Sequence, residues 1–345
     1  MTPSSDGCTI ITWMYSSPKG EQFVHTQVGK RSSDLNYQAY YWRCVFLLFE
    51  SSARLNNGAR HILFVNQFPP GYIDGVDIGM LIRQFRVEVV FFETLTLSPS
   101  DYYGAWNTQF IVLDVLDWVA AHCPPGEAVF ILDSDIVFVK PINQQLLTDL
   151  RAKRALLYSL DLGEDYVNNG LTPAELLEVS RELDPHFPAS SFVYSGGEFI
   201  CILGSEARTV ASMAREIYRR CLERHKKGQK KFNEEAHLLS FVYQSLGYEN
   251  YSANNVVKRI WTDRSVEANV TGDEASLIMW HLPAEKKNGF VRLFRSFVRV
   301  GDQYTLPPTN LAVTFRLTES SMERLRRRLF RTPARRMLAM LRAIR

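Results

Sequence analysis

Apolar and polar positions along this chain form short runs that alternate with helix-patterned stretches. Residues 9–15 (TIITWMY) are apolar and β-branched and predict a first buried strand. A helix is expected over 35–50. A second strand over 61–65 (HILFV) is closed by Asn66 and the turn residues Pro69, Pro70 and Gly71, and a third covers 87–92 (VEVVFF). Over 107–122, Phe110, Leu113, Leu116 and Ala120 share one stripe, predicting a helix that Pro124, Pro125 and Gly126 end. Residues 128–139 (AVFILDSDIVFV) then read as an apolar strand interrupted by two acids. Such alternation implies an α/β fold, a mostly parallel sheet with helices on both faces and right-handed crossovers.

The second half is less regular. A strand is expected over 155–160, followed by a helix that Thr172 caps and Pro173 opens, running to residue 182. Residues 192–203 (FVYSGGEFICIL) read as strand, glycine break, strand. Helices follow over 206–227 and 234–246, and a short strand over 278–282. No internal repeat or low-complexity linker is visible. A boundary at Pro307-Pro308 divides a domain, 1–306, from a tail, 307–345.

The chain has 345 residues, 46% hydrophobic and 22% charged, enough for a soluble globular domain with a core that needs no cross-links. The five cysteines are odd in number and form no Cys-x-x-Cys pair, which argues against a disulfide framework or a structural zinc site. Residues 1–7 carry no Lys or Arg, no apolar signal core follows, and no window approaches a membrane span, so a cytoplasmic location is expected. The sequons at Asn250 and Asn269 therefore carry no weight.

The net charge of +3 hides an asymmetry. Residues 321–345 hold nine Arg and one Glu, so the rest of the chain is acidic on balance. Met322, Leu325 and Leu329, then Leu338, Leu341 and Ile344, recur at helical spacing among those arginines, and Pro333 divides two short helices. A basic amphipathic tail of this kind suits an anionic membrane surface, here the inner face of the membrane. The acidic remainder and the lack of a nucleic-acid module argue against nucleic acid. Packing of the tail on the domain or on a second subunit is the other alternative, and no oligomeric state is implied.

Asp133-Ser134-Asp135 carries the strongest chemistry. Two carboxylates inside an apolar run are costly to bury and repel each other, unless a divalent cation neutralises both. Hard oxygen ligands suit Mg²⁺ or Mn²⁺, which also bind phosphate oxygens. Open α/β sheets collect ligands beyond the carboxyl ends of their strands, where these acids fall. The plainer reading is a turn. Elsewhere, Gly196-Gly197 fits either a bulge or a close approach of backbone to a ligand. Glu234 and Glu235 follow Asn233, a good helix cap, and first-turn acids are favoured by the helix dipole alone. Glu234 and His237, at i and i+3, do not by themselves make a metal site.

ILDSDIVFVKPI resembles the Asp-x-Asp segment of GT-A-fold glycosyltransferases, and the likeness in element order covers roughly 9–290. It implies a Rossmann-related GT-A-like fold, a nucleotide-sugar donor with UDP as the common nucleotide, and a glycan or lipid-linked acceptor. Asp133 and Asp135 would hold the metal, with His281, from a late His-plus-Lys segment (WHLPAEKKNGF), as a further ligand. Imidazole suits manganese better than magnesium. Lys286 or Lys287 would hold the diphosphate, and Thr12 and Ser134 would line the nucleotide; by position alone, at the ends of the first and third strands, Tyr15 would stack on the base and Glu93 would partner base or ribose. Gly196, Gly197 and Glu198 would face donor sugar and acceptor. Glu235, with Glu234 second, would act as base or orient the acceptor. The pair departs from the Asp-Gln of retaining members, leaving the stereochemical outcome open. The competing readings are a haloacid-dehalogenase-type phosphatase, whose Asp-x-Asp normally opens its domain, and a non-catalytic nucleotide-sugar-binding protein of the same fold.

Overall fold

The computed structural model describes residues 7–18, 32–68, 71–104, 107–262, 268–300, 311–312 and 314–317. The Pro307-Pro308 boundary and the basic segment 321–345 lie outside the described residues. In chain order the elements are β1 (Cys8–Met14), α1 (Leu35–Leu55), β2 (Arg60–Val65), β3 (Tyr72–Ile73), β4 (Val76–Asp77), α2 (Ile78–Gln84), β5 (Glu88–Phe91) and α3 (Val112–His122). There follow β6 (Ala128–Leu132), β7 (Ile136–Phe138), α4 (Gln144–Lys153), β8 (Ala155–Leu160), α5 (Pro173–Leu183), β9 (Tyr194–Leu203) and α6 (Gly204–Lys226). The last are α7 (Glu235–Ser245), β10 (Val257–Arg259), β11 (Met279–His281) and α8 (Gly289–Val300).

Strands buried on both faces need apolar side chains at every position, which is why β1, β2 and β6 are nearly unbroken apolar runs. They form a six-stranded sheet in the order β5-β2-β1-β6-β9-β8. The first four strands are mutually parallel, and β9 runs antiparallel to both β6 and β8. Ile10, Leu63, Phe130 and Leu132 point to one core, shared with Trp42 and Phe46 of α1 and Phe294 of α8. Their neighbours Ile11, Ile62, Phe64, Val129 and Ile131 point to the other, shared with Leu116 of α3, Val210 of α6 and Phe241 of α7. The expected mostly parallel sheet with helices on both faces is therefore the architecture found. Each such large apolar side chain contributes about 1.5–3 kcal/mol on burial.

The apolar run over 128–139 does not stay in one sheet. After Asp133-Ser134 the chain leaves β6, and β7 joins a second, three-stranded sheet in the order β10-β11-β7. There β11 pairs antiparallel with β7, His281 opposite Ile136, and β10 pairs parallel with β11, Arg259 beside His281. The two acids thus occupy the junction between the sheets, at the carboxyl end of β6.

Other expectations are corrected by tertiary packing. The helix expected from 107 starts at Val112, because Gln109 donates its side-chain amide to the Asn233 carbonyl (2.7 Å) and the Asn107 carbonyl accepts from Ser98 N (2.9 Å). The glycines of 192–203 do not break a strand: β9 runs through both, and neither has a positive φ. Asn233 does not cap α7. Glu234 occupies the cap position, while Asn233 donates to the Asn169 carbonyl (2.9 Å) and accepts from Lys231 (3.1 Å). The β3–β4 hairpin, α2, α4, β10 and α8 were not anticipated. Past residue 307, Leu311, Phe315 and Leu317 are buried in the core that contains α8, and the Phe315 and Phe290 rings lie 5.1 Å apart. Among the described residues of the stretch assigned to the tail, these three therefore pack on the domain. No disulfide joins any of the five cysteines among the described residues. No helix among the described residues is long and apolar enough to cross a membrane.

Candidate metal centre

Two strand ends and the turn between β6 and β7 build the centre. β6 delivers Asp133 and the turn after it delivers Asp135; the Asp135 carbonyl accepts from Leu282 N (3.0 Å), fastening this turn to the end of β11. β11 delivers His281. Asp133, Asp135 and His281 can each offer one ligand atom with all of these atoms within 4.8 Å of one another. His281 Nε2 lies 3.2 Å from Asp135 Oδ2 and 3.7 Å from Asp133 Oδ2. An octahedral ion with bonds of about 2.1 Å sets adjacent ligand atoms roughly 3 Å apart, so these separations suit one small divalent cation. His281 Nε2 is buried and faces both carboxylates without a well-directed hydrogen bond to either. Two carboxylates converging on one buried imidazole nitrogen form a donor set that a metal would satisfy. The three residues therefore fit a divalent ion.

The electrostatics separate the two acids. Asp135 is 2% exposed; burial alone would raise its carboxyl, but Lys286, whose Nζ sits 2.5 Å from Oδ2, and His281 outweigh this and hold it below the usual carboxylate range. Asp133 keeps 37% of its side chain exposed, yet is pushed up to about 6, first by desolvation and then by the Asp135 charge. His281 is driven the other way. Burial disfavours its charge, but Asp135 and Glu198 overcome that and raise it to about 9, so a cation arriving near neutral pH displaces a proton.

Of the two lysines, Lys286 is buried at Asp135 and Lys287 is exposed, so the structure brings only the first to the centre. Ser134 is buried within the turn. Tyr15, half-buried, and Glu93, exposed, stand just past the ends of β1 and β5 on the same edge of the sheet. Thr12 is fully buried and its hydroxyl donates to the Leu132 carbonyl (2.8 Å). The Thr12 hydroxyl thus braces the strand end that carries Asp133.

The Glu198 carboxylate accepts from Arg259 Nε (2.7 Å) and Nη2 (2.5 Å) and lies 3.2 Å from His281 Nδ1, so both oxygens are engaged within the protein rather than offered to a sugar. A side chain on Gly196 would overlap that carboxylate, and one on Gly197 would approach Glu235 Oε1 to 2.8 Å. Both glycines are thus explained by close internal approaches. Arg259 was missed altogether, since it sits in a three-residue strand with no periodicity of its own.

The paired glutamates are not equivalent. Glu234 is buried, its carboxylate filled by Asn168 (2.9 Å), Asn169 and Tyr194 (2.9 Å), and desolvation pushes it up to about 7. Glu235 keeps Oε2 without a hydrogen-bond partner among the described residues and is raised well above the carboxylate range, by desolvation first and Glu234 second. Of the two carboxylates, only that of Glu235 keeps an oxygen without a hydrogen-bond partner among the described residues.

No family model matches the chain, and no curated protein resembles it in sequence. Among solved structures, the fold is similar to that of mouse xyloside xylosyltransferase 1 in its apo form. The two are 12% identical, the match covers 79% of this chain and 96% of that one, and the TM-score is 0.45.

Proposed function

We propose that this chain is a metal-dependent glycosyltransferase that moves a sugar from a nucleotide-sugar donor, a UDP-sugar by default, to a glycan or lipid-linked acceptor. One observation carries the reading: two acids and a buried imidazole nitrogen converge within 4.8 Å at the carboxyl end of a mostly parallel sheet, with a buried lysine on one of the acids. Asp133, Asp135 and His281 would hold the ion, Mn²⁺ in preference to Mg²⁺ because of the imidazole. When bound, the ion supplies Lewis-acid stabilisation of charge developing on a diphosphate leaving group. Lys286 adds a fixed positive charge beside it, and Glu235 acts as base or orients the acceptor.

Thermal melting of the full chain against a panel of nucleotide sugars and nucleoside diphosphates, with and without Mn²⁺, tests the proposal. A stabilisation that needs both nucleotide and Mn²⁺ is expected; at a ligand concentration of 100 Kd it amounts to about 2.7 kcal/mol. Finding no nucleotide whose effect depends on Mn²⁺ would reject it.

The basic segment 321–345 is proposed to dock the enzyme on an anionic membrane surface, in line with a membrane-held acceptor. Deleting it should weaken binding to vesicles containing phosphatidylserine by at least about tenfold, since each basic residue near such a surface contributes about 1 kcal/mol. Undiminished vesicle binding would discard this part.

A further inference from the structure

We infer that Glu198, clamped by Arg259, is the positioning residue that sets the orientation and tautomer of His281 as a metal ligand. The inference rests on the metal reading given above.

Four elements converge to build the arrangement. β9 lies beside β6, and the Glu198 carbonyl accepts from Asp133 N (2.9 Å), so Glu198 is anchored to the first acid through the backbone. In the second sheet Arg259 and His281 are register partners on β10 and β11, side by side, and both reach the same carboxylate. Arg259 grips it through Nε and Nη2, at 2.7 and 2.5 Å, in the two-pronged geometry that fixes a carboxylate plane. Glu198 is 2% exposed, and the missing side chain of Gly196 leaves the space in which the carboxylate lies.

The consequence falls on His281. A carboxylate 3.2 Å from Nδ1 keeps a hydrogen on that nitrogen. The lone pair then sits on Nε2, the atom that faces Asp135 and Asp133. Carboxylate partners of ligating histidines fix the ring and strengthen it as a ligand. Arg259 is needed because Glu198 would otherwise add a third buried negative charge beside the two acids. A contribution to folding alone would explain the ion pair, but not why its carboxylate also holds the imidazole.

The test uses the full chain with Mn²⁺ as the probe. Free Mn²⁺ is titrated by electron paramagnetic resonance, and pulsed measurements detect nitrogen coupling to the bound ion, with His281→Ala as the reference for its loss. Wild type should bind Mn²⁺ and show the coupling. The double variant Glu198→Leu/Arg259→Leu replaces a buried ion pair by an apolar one, a change that folds often tolerate. It should bind Mn²⁺ about 10–100-fold more weakly and lose the nitrogen signal. Glu198→Gln keeps the shape and one accepting oxygen, and should weaken binding about tenfold. If the folded double variant keeps both the affinity and the nitrogen coupling of wild type, the proposal is overturned. If the double variant does not fold, an unchanged affinity and nitrogen signal in Glu198→Gln overturns it equally. Absence of saturable Mn²⁺ binding to wild type would instead remove the metal reading, and this inference with it.

Discussion

Replacing Asp135 by Asn is expected to weaken Mn²⁺ binding by more than about a hundredfold, since loss of a direct ligand exceeds the 10–100-fold typical of an outer partner. Mn²⁺-dependent nucleotide binding should disappear with it. The same substitution has a cost in stability. Lys286 Nζ lies 2.5 Å from Asp135 Oδ2 with both side chains almost fully buried, at 7% and 2% exposure. Removing one partner of such a pair leaves an uncompensated charge and costs about 3–5 kcal/mol; the retained amide oxygen places Asn at the lower end. Both effects are separable. Adding Lys286→Met to Asp135→Asn removes the stranded charge, so stability should recover while Mn²⁺ binding does not. Chemical denaturation and Mn²⁺ titration of the single and double variants check this. If Asp135→Asn bound Mn²⁺ within a few-fold of wild type, the carboxylate would not be a ligand, whatever its effect on stability.

The sequence reading went furthest where the signal is local. Two acids in an apolar run, and strands that read as continuous hydrophobic stretches, need no knowledge of distant residues. They located Asp133, Asp135 and the layering of helices over the sheet. The internal partner of Glu198 is not legible in the sequence because it comes from β10, a strand of three residues that takes its place by pairing with β11. Nothing in VKR announces a strand, so Arg259 could not be anticipated, and without Arg259 a glutamate after two glycines reads as facing a ligand. His281 shows the same dependence. Its meaning rests on β11 pairing with β7 across a long separation in sequence, which a lone His after a Trp does not encode. Other omissions had a visible signal. Phe290, Val291, Leu293, Phe294 and Phe297 follow helical spacing and form the buried face of α8. Asp74-Gly75 is hairpin-turn chemistry, and both residues adopt positive φ, +49° and +83°, between β3 and β4.

Glu235→Gln is the second substitution with a large expected effect, and it should act on function and stability in opposite directions. In the role proposed for it, general base or acceptor-orienting group, the carboxylate would contribute about 10²–10⁴ in rate, so transfer should fall by that factor. Stability should rise instead. Glu235 Oε2 is buried without a hydrogen-bond partner among the described residues, and desolvation followed by the Glu234 charge raises its carboxyl well above the ordinary range. A first-turn acid gains about 0.3–1 kcal/mol from the dipole of α7, but the net upward direction shows that burial and repulsion outweigh this. The sign of the pH dependence follows. Below about pH 4.3 the carboxyl is protonated in both folded and unfolded chains and costs nothing. As pH rises, the unfolded chain releases its proton while the folded chain retains it, and stability declines until the folded group ionises. Glutamine has no proton to lose. The variant should therefore match wild type in stability near pH 4.3 and exceed it at pH 8, in denaturant melts without metal. An equal difference at both pH values would show that the folded carboxyl is not raised, and a transfer rate within twofold of wild type would remove Glu235 from the chemistry. A side chain that destabilises the fold near neutral pH is best accounted for by the role proposed for it.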